Sequence, residues 1–106
     1  PIFSTLIKRG LVVVVNTTQI STSAENLPTF LVKRIEGIGG EEIKFESSTI
    51  TSYVKFYDDL SMQADGYYYY FVPLNHLIVL SDAVGIDSKH FGPVPINSLD
   101  GIVIFK

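Results

Sequence analysis

The stretch FLVKRIEGIGGEEIKF, residues 30–45, places two cations inside an apolar run and follows them with three glycines. Its first part predicts a β-strand, in which neighbouring side chains point to opposite faces of the sheet. Lys33 and Arg34 are adjacent, so only one of them can easily face solvent while the other faces inward. The Gly39-Gly40 pair then supplies the positive-φ conformations that a tight hairpin needs. One cation of the pair is therefore expected to face the protein interior, where burial of a charge is unfavourable unless other groups compensate it.

Strand signals continue along the rest of the chain. The run LVVVV at 11–15 is β-branched apart from its first residue, which suits a buried strand. The polar segment 17–28 is typical of a surface loop, and helix signals are limited to 58–64 and a short turn after Pro95. In the run Tyr67–Tyr70, strand alternation predicts two tyrosines in the core and two at the surface. Strands are expected at 11–15, 29–36, 42–46, 49–57, 67–72, 76–81 and 101–105. This pattern predicts a mostly β fold, a barrel or double sheet with at most one or two short helices.

The composition is that of one globular domain covering residues 1–106. The chain is 46% hydrophobic and 18% charged, which favours a packed core over disorder. A net charge of −3 with scattered basic residues makes nucleic-acid binding an unfavoured class. The absence of cysteine excludes disulfides, thiolate metal sites and cysteine nucleophiles. His76 and His90 stand apart, so we expect neither a metal site nor a cofactor.

The sequence has no segment that reads as a membrane span or a signal peptide. Its longest apolar runs, 11–15 and 67–72, are far shorter than the about 20 residues that a spanning helix requires. A charged leader and a small-residue cleavage site are both missing. Because the sequence begins at Pro1 without a methionine, we expect it to be a piece of a longer chain.

Three segments resemble the sequence boxes of type I signal peptidases. Residues 32–41, VKRIEGIGGE, resemble the lysine box, in which lysine and arginine precede two apolar residues and a glycine-rich turn with an acid. Residues 72–105 resemble the C-terminal box, with a Val-Pro start, an apolar strand, an Asp-Ser-basic triplet, Phe-Gly and a second Val-Pro. Residues 4–14, STLIKRGLVVV, are similar to the stretch that follows the nucleophile of the family. Together the three segments cover more than half of the chain.

The resemblance implies an extracytoplasmic β domain on the cell membrane, with an anchor upstream of residue 1 and Ser/Lys catalysis. In that chemistry a serine hydroxyl attacks the peptide carbonyl while a neutral lysine amine takes its proton. Lys33 matches the general base. Free lysine titrates at about 10.4 and is charged at neutral pH, so burial must lower its pKa before it can accept a proton. The competing interpretation is a lysine at a strand end whose ammonium reaches water.

The resemblance also implies two ion pairs beside the base. Arg34 would pair with Asp82, and Asp87 would pair with Lys89, which stands where the family has arginine and so lacks the bidentate fork. These residues are also compatible with ordinary surface charges. Ser88 is as compatible with capping a turn as with contacting substrate.

Several positions depart from the family pattern. Pro1 falls where the nucleophilic serine should be, and Ser4 lies too late in the chain to replace it. Ser81 stands where the family has the glycine before its aspartate. Gly85 stands where the family has the serine that hydrogen-bonds the lysine. These losses predict a degenerate homologue in which the scaffold persists and the catalytic accessories are eroded.

Three hypotheses about function follow. The eroded boxes resemble signal-peptidase-like proteins required for pilus assembly in Gram-positive bacteria, which favours a non-catalytic factor. Such a factor would bind an extended peptide, pilin or sortase-type partner by strand addition. The alternative is an active Ser/Lys signal peptidase that cleaves exported pre-proteins, with its nucleophile upstream of Pro1. The third hypothesis is an unrelated small β-barrel binding module, which predicts an exposed Lys33 far from Asp82.

Overall fold

The computed structural model describes residues 6–20, 27–46, 61–82 and 85–104. In these residues the strands are short and the helical segments are single turns. The elements, in chain order, are β1 (Val12–Asn16), β2 (Phe30–Ile38), β3 (Glu42–Glu46), β4 (Ser61–Met62), β5 (Tyr67–Phe71), β6 (His76–Leu80), α1 (Ser88–Phe91), β7 (Val94–Pro95) and β8 (Leu99–Ile102), with 3₁₀ turns at Thr17–Gln19 and Ile96–Ser98. Among the described residues, no helix is long and apolar enough to cross a membrane.

The strands form two antiparallel sheets. The larger sheet has the order β7-β6-β2-β1-β8, and the smaller has the order β3-β5-β4. The long strand β2 lies at the centre of the larger sheet, where Lys33 is opposite Val13 of β1 and Arg34 is opposite Leu80 of β6. The prediction of a mostly β, double-sheet fold is therefore confirmed.

Most predicted strands are found with small shifts at their ends. The last strand begins at Leu99 rather than at 101, and the turn predicted after Pro95 is the 3₁₀ turn Ile96–Ser98. The helix predicted at 58–64 is wrong for Ser61–Met62, which pair with β5 as a strand. The remainder of that segment up to residue 60, and the strand predicted at 49–57, lie outside the described residues.

The hairpin predicted around Gly39-Gly40 is wrong, although the turn itself is tight. Strands β2 and β3 belong to different sheets, so this turn carries the chain from one sheet to the other. Gly40 has the expected positive φ of 90°. Gly39 is needed for a different reason: a Cβ there would lie 2.7 Å from the Pro73 carbonyl oxygen. The turn packs directly on the backbone of the β5–β6 connection, which leaves no room for a side chain.

Two apolar clusters hold the sheets together. The first lies on the face of the larger sheet that Lys33 shares, and its fully buried members are Val13, Val15, Ile35, Leu77, Val79 and Val94. The second lies between the two sheets and contains Ile43, Phe45, Tyr70, Val72 and Ile78, with Tyr68 packed against it. Tyr68 and Tyr70 share the side that faces this cluster, as the predicted alternation requires, but only Tyr70 is buried and the other three tyrosines are half-buried. Each fully buried valine or isoleucine side chain contributes about 1.5–3 kcal/mol to folding.

A register shift between Ile35 and Gly37 allows β2 to serve both clusters. A Cβ at Gly37 would lie 3.0 Å from Ile43 and 3.2 Å from Val72, so the glycine lets the smaller sheet approach. The part of β2 that precedes the shift, with Lys33, faces the first cluster. The glycine-rich stretch therefore fixes where the second sheet begins.

Candidate active site

Lys33 occupies an inward position of β2. The residue is 8% exposed, and its side chain lies on the same face as the core residue Ile35 and the partly buried Leu31. The neighbouring Arg34 points to the other face, and its side chain is 38% exposed. The strand alternation thus buries the lysine and leaves the arginine in solvent. The competing interpretation, in which Lys33 ends a strand and extends its ammonium into water, is wrong.

The ammonium of Lys33 has one serine hydroxyl close to it. Nζ donates to Ser81 Oγ over 2.7 Å, and Ser81 follows directly on the end of β6. Burial lowers the pKa of Lys33 from its ordinary value of 10.5, and the negative charge of Asp87 partly opposes that shift. Desolvation dominates because an apolar environment penalises the charged amine more than the neutral one. The shift is in the direction of the neutral amine that general-base chemistry needs.

Asp87 accepts hydrogen bonds from two backbone N–H groups, those of Ser81 and Lys89. The residue is 2% exposed. Its carboxylate Oδ2 accepts from the Ser81 backbone N–H at 3.0 Å, and Oδ1 accepts from the Lys89 N–H at 2.9 Å. The second bond starts the helical turn α1, as an aspartate before a helix commonly does. The ion pair between the Asp87 carboxylate and the Lys89 ammonium stays a prediction. What the structure assigns to Asp87 is a link between the Ser81 backbone and the start of α1.

Ser88 is a buried anchor. It is 0% exposed, and its Oγ accepts from the Val79 backbone N–H at 2.9 Å. This hydrogen bond anchors the backbone of β6 and is not the turn cap that the sequence suggested, while a substrate contact stays a prediction. The bond ties α1 to β6, one strand residue before the segment that leads to Ser81.

Arg34 and Asp82 form the ion pair that the resemblance implies. Nε and Nη2 of Arg34 donate to the two carboxylate oxygens of Asp82 at 2.8 and 2.9 Å, a bidentate arrangement. Nη1 also donates to the Gly10 carbonyl oxygen at 2.7 Å. The hydrogen bond from Arg34 lowers the pKa of Asp82 below its ordinary value of 3.8. This pair connects β2, the loop after β6 and the segment that enters β1.

The structure brings Lys33, Ser81 and Asp87 together on the core side of β2, and Arg34 and Asp82 together on the other side. Ser81 is the site residue that the sequence does not reveal. Compared with the family pattern, position 81 shows only that a glycine is missing, and the hydroxyl that replaces it has no predicted role. Gly85 was likewise counted only as a lost serine. A Cβ at Gly85 would lie 3.7 Å from Lys33 Nζ, so positions 81 and 85 face the same amine. The signal in the sequence is that the resemblance expects glycine at 81 and serine at 85, whereas this chain has serine at 81 and glycine at 85. Pro1 lies outside the described residues.

The arrangement contains the proton-accepting half of a Ser/Lys mechanism. A buried lysine amine within hydrogen-bond distance of a hydroxyl can accept a proton once it is neutral. Ser81 occupies one hydrogen-bonding direction of the amine.

Comparison with known proteins identifies the family. Residues 4–106 match the protein-family model described as signal peptidase, peptidase S26. The chain therefore belongs to the peptidase S26 family of signal peptidases, and the hypothesis of an unrelated β-barrel module is wrong. No curated protein and no solved structure matches the chain.

Proposed function

We propose that this member of the peptidase S26 family is a Ser/Lys signal peptidase that cleaves exported pre-proteins at the extracytoplasmic face of the cell membrane. The observation that carries the proposal is Lys33, a residue only 8% exposed whose amine donates a hydrogen bond to a serine hydroxyl at 2.7 Å. A protein that had lost the chemistry would have no need to bury a lysine against the cost of desolvation. This favours the active alternative over the degenerate one.

In the proposed reaction Lys33 acts as general base and then as general acid. The neutral amine takes the proton of an attacking serine as its oxygen bonds to the peptide carbonyl carbon. The resulting ammonium returns that proton to the leaving amine as the carbon–nitrogen bond breaks. Water then hydrolyses the acyl-enzyme ester with the same amine as base. We place the attacking serine upstream of Pro1, next to the segment that Arg34 holds through Gly10.

The substrate in this proposal is an extended peptide. A signal peptide's cleavage region would lie beside Lys33 as an added strand, because backbone hydrogen bonds recognise an extended chain regardless of most of its side chains. The partners are pre-proteins and, through an upstream anchor, the membrane. Neither a nucleic acid nor a metal takes part.

A second candidate function rests on the position of Pro1. The alignment with the signal peptidase boxes puts this proline where the nucleophile belongs, which favours a non-catalytic factor in surface assembly. In a Gram-positive bacterium such a factor would assist pilus assembly by holding a pilin or a sortase-type partner. Its cleft would then bind a peptide without cutting it.

Pre-protein cleavage by the full-length protein in membranes separates the two candidates. We expect wild type to release the mature protein, Lys33→Ala to reduce cleavage by at least about 1000-fold, and Lys44→Ala to cleave normally. Lys44 is the matched control because it is an exposed lysine on β3 that lies over the Tyr67 ring. Equal cleavage by wild type and Lys33→Ala would overturn the base role. Folded wild type that cleaves nothing but binds pilin would establish the assembly factor instead.

A further inference from the structure

We infer that Ser81 is a positioning residue for the Lys33 amine, and that residues 81 and 85 act as one unit in which a single side chain occupies the space beside Nζ. The inference deepens the proposed function, since an effect on cleavage rests on Lys33 being the base. The positioning itself is a property of the folded chain and has its own readout. The resemblance gives such a hydrogen bond to a serine at the position of Gly85, and the inference here is that Ser81 supplies the hydroxyl instead.

The Ser81 hydroxyl is placed by the backbone on both of its sides. Leu80, just before it, pairs with Arg34 across the β2–β6 ladder. The Ser81 N–H donates to the buried carboxylate of Asp87 at 3.0 Å. With the backbone held at these points, the hydroxyl reaches Lys33 Nζ over 2.7 Å. This is a directed contact with a half-buried hydroxyl.

Gly85 leaves room for that hydroxyl. A Cβ at position 85 would lie 2.9 Å from Ser81 Oγ and 3.6 Å from Ser81 Cβ. Real Cβ atoms do not approach other atoms so closely, so a side chain at 85 would have to displace the hydroxyl. Gly85 has no positive φ, so its backbone does not itself require glycine. The reason for glycine here is the space that Ser81 fills.

The same geometry predicts that a serine at 85 can replace the one at 81. Its Cβ would lie 3.7 Å from Lys33 Nζ, and a hydroxyl one bond further on comes within hydrogen-bond distance of the amine. This holds when the Ser81 hydroxyl is absent or displaced, because the clash is with that hydroxyl and the 3.6 Å distance to Ser81 Cβ is an ordinary contact. The two positions are therefore expected to be interchangeable as a pair and incompatible as two serines.

A fixed hydroxyl matters because a lysine amine rotates freely at the end of a flexible stem. One hydrogen bond restricts that rotation and directs the lone pair of the neutral amine away from Ser81 and toward an incoming group. The bond is also stronger to the ammonium than to the neutral amine, since charge-assisted hydrogen bonds are roughly twice as strong. Removal of the hydroxyl should therefore lower the pKa of Lys33 further while it loosens the amine.

The experiment titrates Lys33 in the full-length protein labelled with carbon-13 at the lysine ε carbons, and measures pre-protein cleavage in parallel. We expect Ser81→Ala to shift the Lys33 midpoint down by about one pH unit. We expect it to lower kcat by roughly 10- to 100-fold with little change in KM. Ser98→Ala is the matched control, because that buried hydroxyl bonds to the Pro95 carbonyl oxygen at 2.6 Å. It should leave the Lys33 midpoint in place.

The exchange variants decide whether the two positions form a unit. Ser81→Gly alone should resemble Ser81→Ala, and Gly85→Ser alone should also be impaired by the clash with Ser81. The double variant Ser81→Gly/Gly85→Ser should return both the midpoint and kcat toward wild type. A double variant no better than Ser81→Gly would overturn the exchange, and an unchanged midpoint in Ser81→Ala would overturn the positioning role.

Two further outcomes separate this inference from the proposed function. If neither the wild type nor any variant cleaves the pre-protein, but the Lys33 titration midpoints move as expected, the positioning role stands and the peptidase proposal fails. If Ser81→Ala falls to the cleavage level of Lys33→Ala and the double variant does not recover, Ser81 is itself the attacking group. That outcome would contradict a positioning role.

Discussion

Lys33 and Arg34 are neighbours in sequence with opposite environments. The lysine is 8% exposed and the arginine side chain 38%, as strand alternation requires. The choice of which cation goes inside is chemically sensible, because a buried lysine can lose its proton while arginine stays charged. The price of this placement is stability, since the ammonium form of Lys33 is poorly solvated.

Replacement of Lys33 by methionine should therefore stabilise the domain. We expect Lys33→Met to raise the free energy of unfolding by about 1 kcal/mol near neutral pH, because it fills a similar volume without a charge to desolvate. The folded pKa of Lys33 is lowered, so from that pKa up to 10.5 the unfolded chain holds more protons. Wild-type stability thus rises with pH in this window, and the difference from Lys33→Met shrinks.

Urea unfolding at a series of pH values measures both effects. Lys44→Met, on the exposed face of β3, is the control and should follow wild type at every pH. A constant gap between wild type and Lys33→Met up to pH 10.5 would mean that Lys33 carries an ordinary pKa.

The Arg34–Asp82 pair makes a separate prediction. Arg34→Lys keeps the charge but loses the fork and the bond to Gly10, so the pKa of Asp82 should rise toward 3.8. In wild type the pair stabilises the fold above 3.8, and its contribution is lost as the pH falls through the lowered pKa of Asp82. Carbon-13 titration of the Asp82 carboxyl tests this. Arg9→Lys, which alters the Arg9–Glu41 pair instead, should leave Asp82 unchanged.

At the scale of elements, β2 and the turn after it organise the fold. The strand pairs with β1 and β6, shifts register after Ile35 and then crosses to the second sheet. Local patterns predicted the strands well, because β-branched and alternating residues are a local signal. They did not predict which strands pair, because two consecutive strands with a Gly-Gly turn look like a hairpin whichever sheets they join.

The turn supplies a test with a matched pair of glycines. Gly39→Ala should lower the free energy of unfolding by about 1–3 kcal/mol, since the new Cβ meets backbone atoms of residues 73–75 at 2.7–3.1 Å. Gly101→Ala on β8 adds the same methyl group where nothing lies within 4 Å, and should change stability by less than about 0.5 kcal/mol. Equal effects of Gly39→Ala and Gly101→Ala in denaturant unfolding would mean that the turn after β2 does not pack on the β5–β6 connection as described.

Across the whole molecule, the site is assembled from distant parts of the chain. Gly10, the Lys33–Arg34 pair and the Ser81–Asp87 loop come together only because β2 is central in the larger sheet. Composition and periodicity contain no information on such long-range contacts. Lys33, Arg34 and Asp82 could be predicted because the sequence boxes resemble a known family.

Ser81 could not be predicted in the same way. A comparison position by position registers a serine at 81 and a glycine at 85 as two separate losses. Only three-dimensional packing reveals that both positions face Lys33 Nζ. Under the inference drawn above, the erosion at these two positions is an exchange, and they then no longer count in favour of a degenerate protein.

The most direct test is the titration of Lys33 in the wild-type, full-length protein, followed by carbon-13 NMR of its ε carbon. The resonance is identified by its loss in Lys33→Met. We predict a midpoint below 10.5, because burial lowers the pKa of the amine, and a rise of kcat/KM for pre-protein cleavage through the same pH. A midpoint at 10.5 or above would contradict a buried base and leave Lys33 as an ordinary charged side chain.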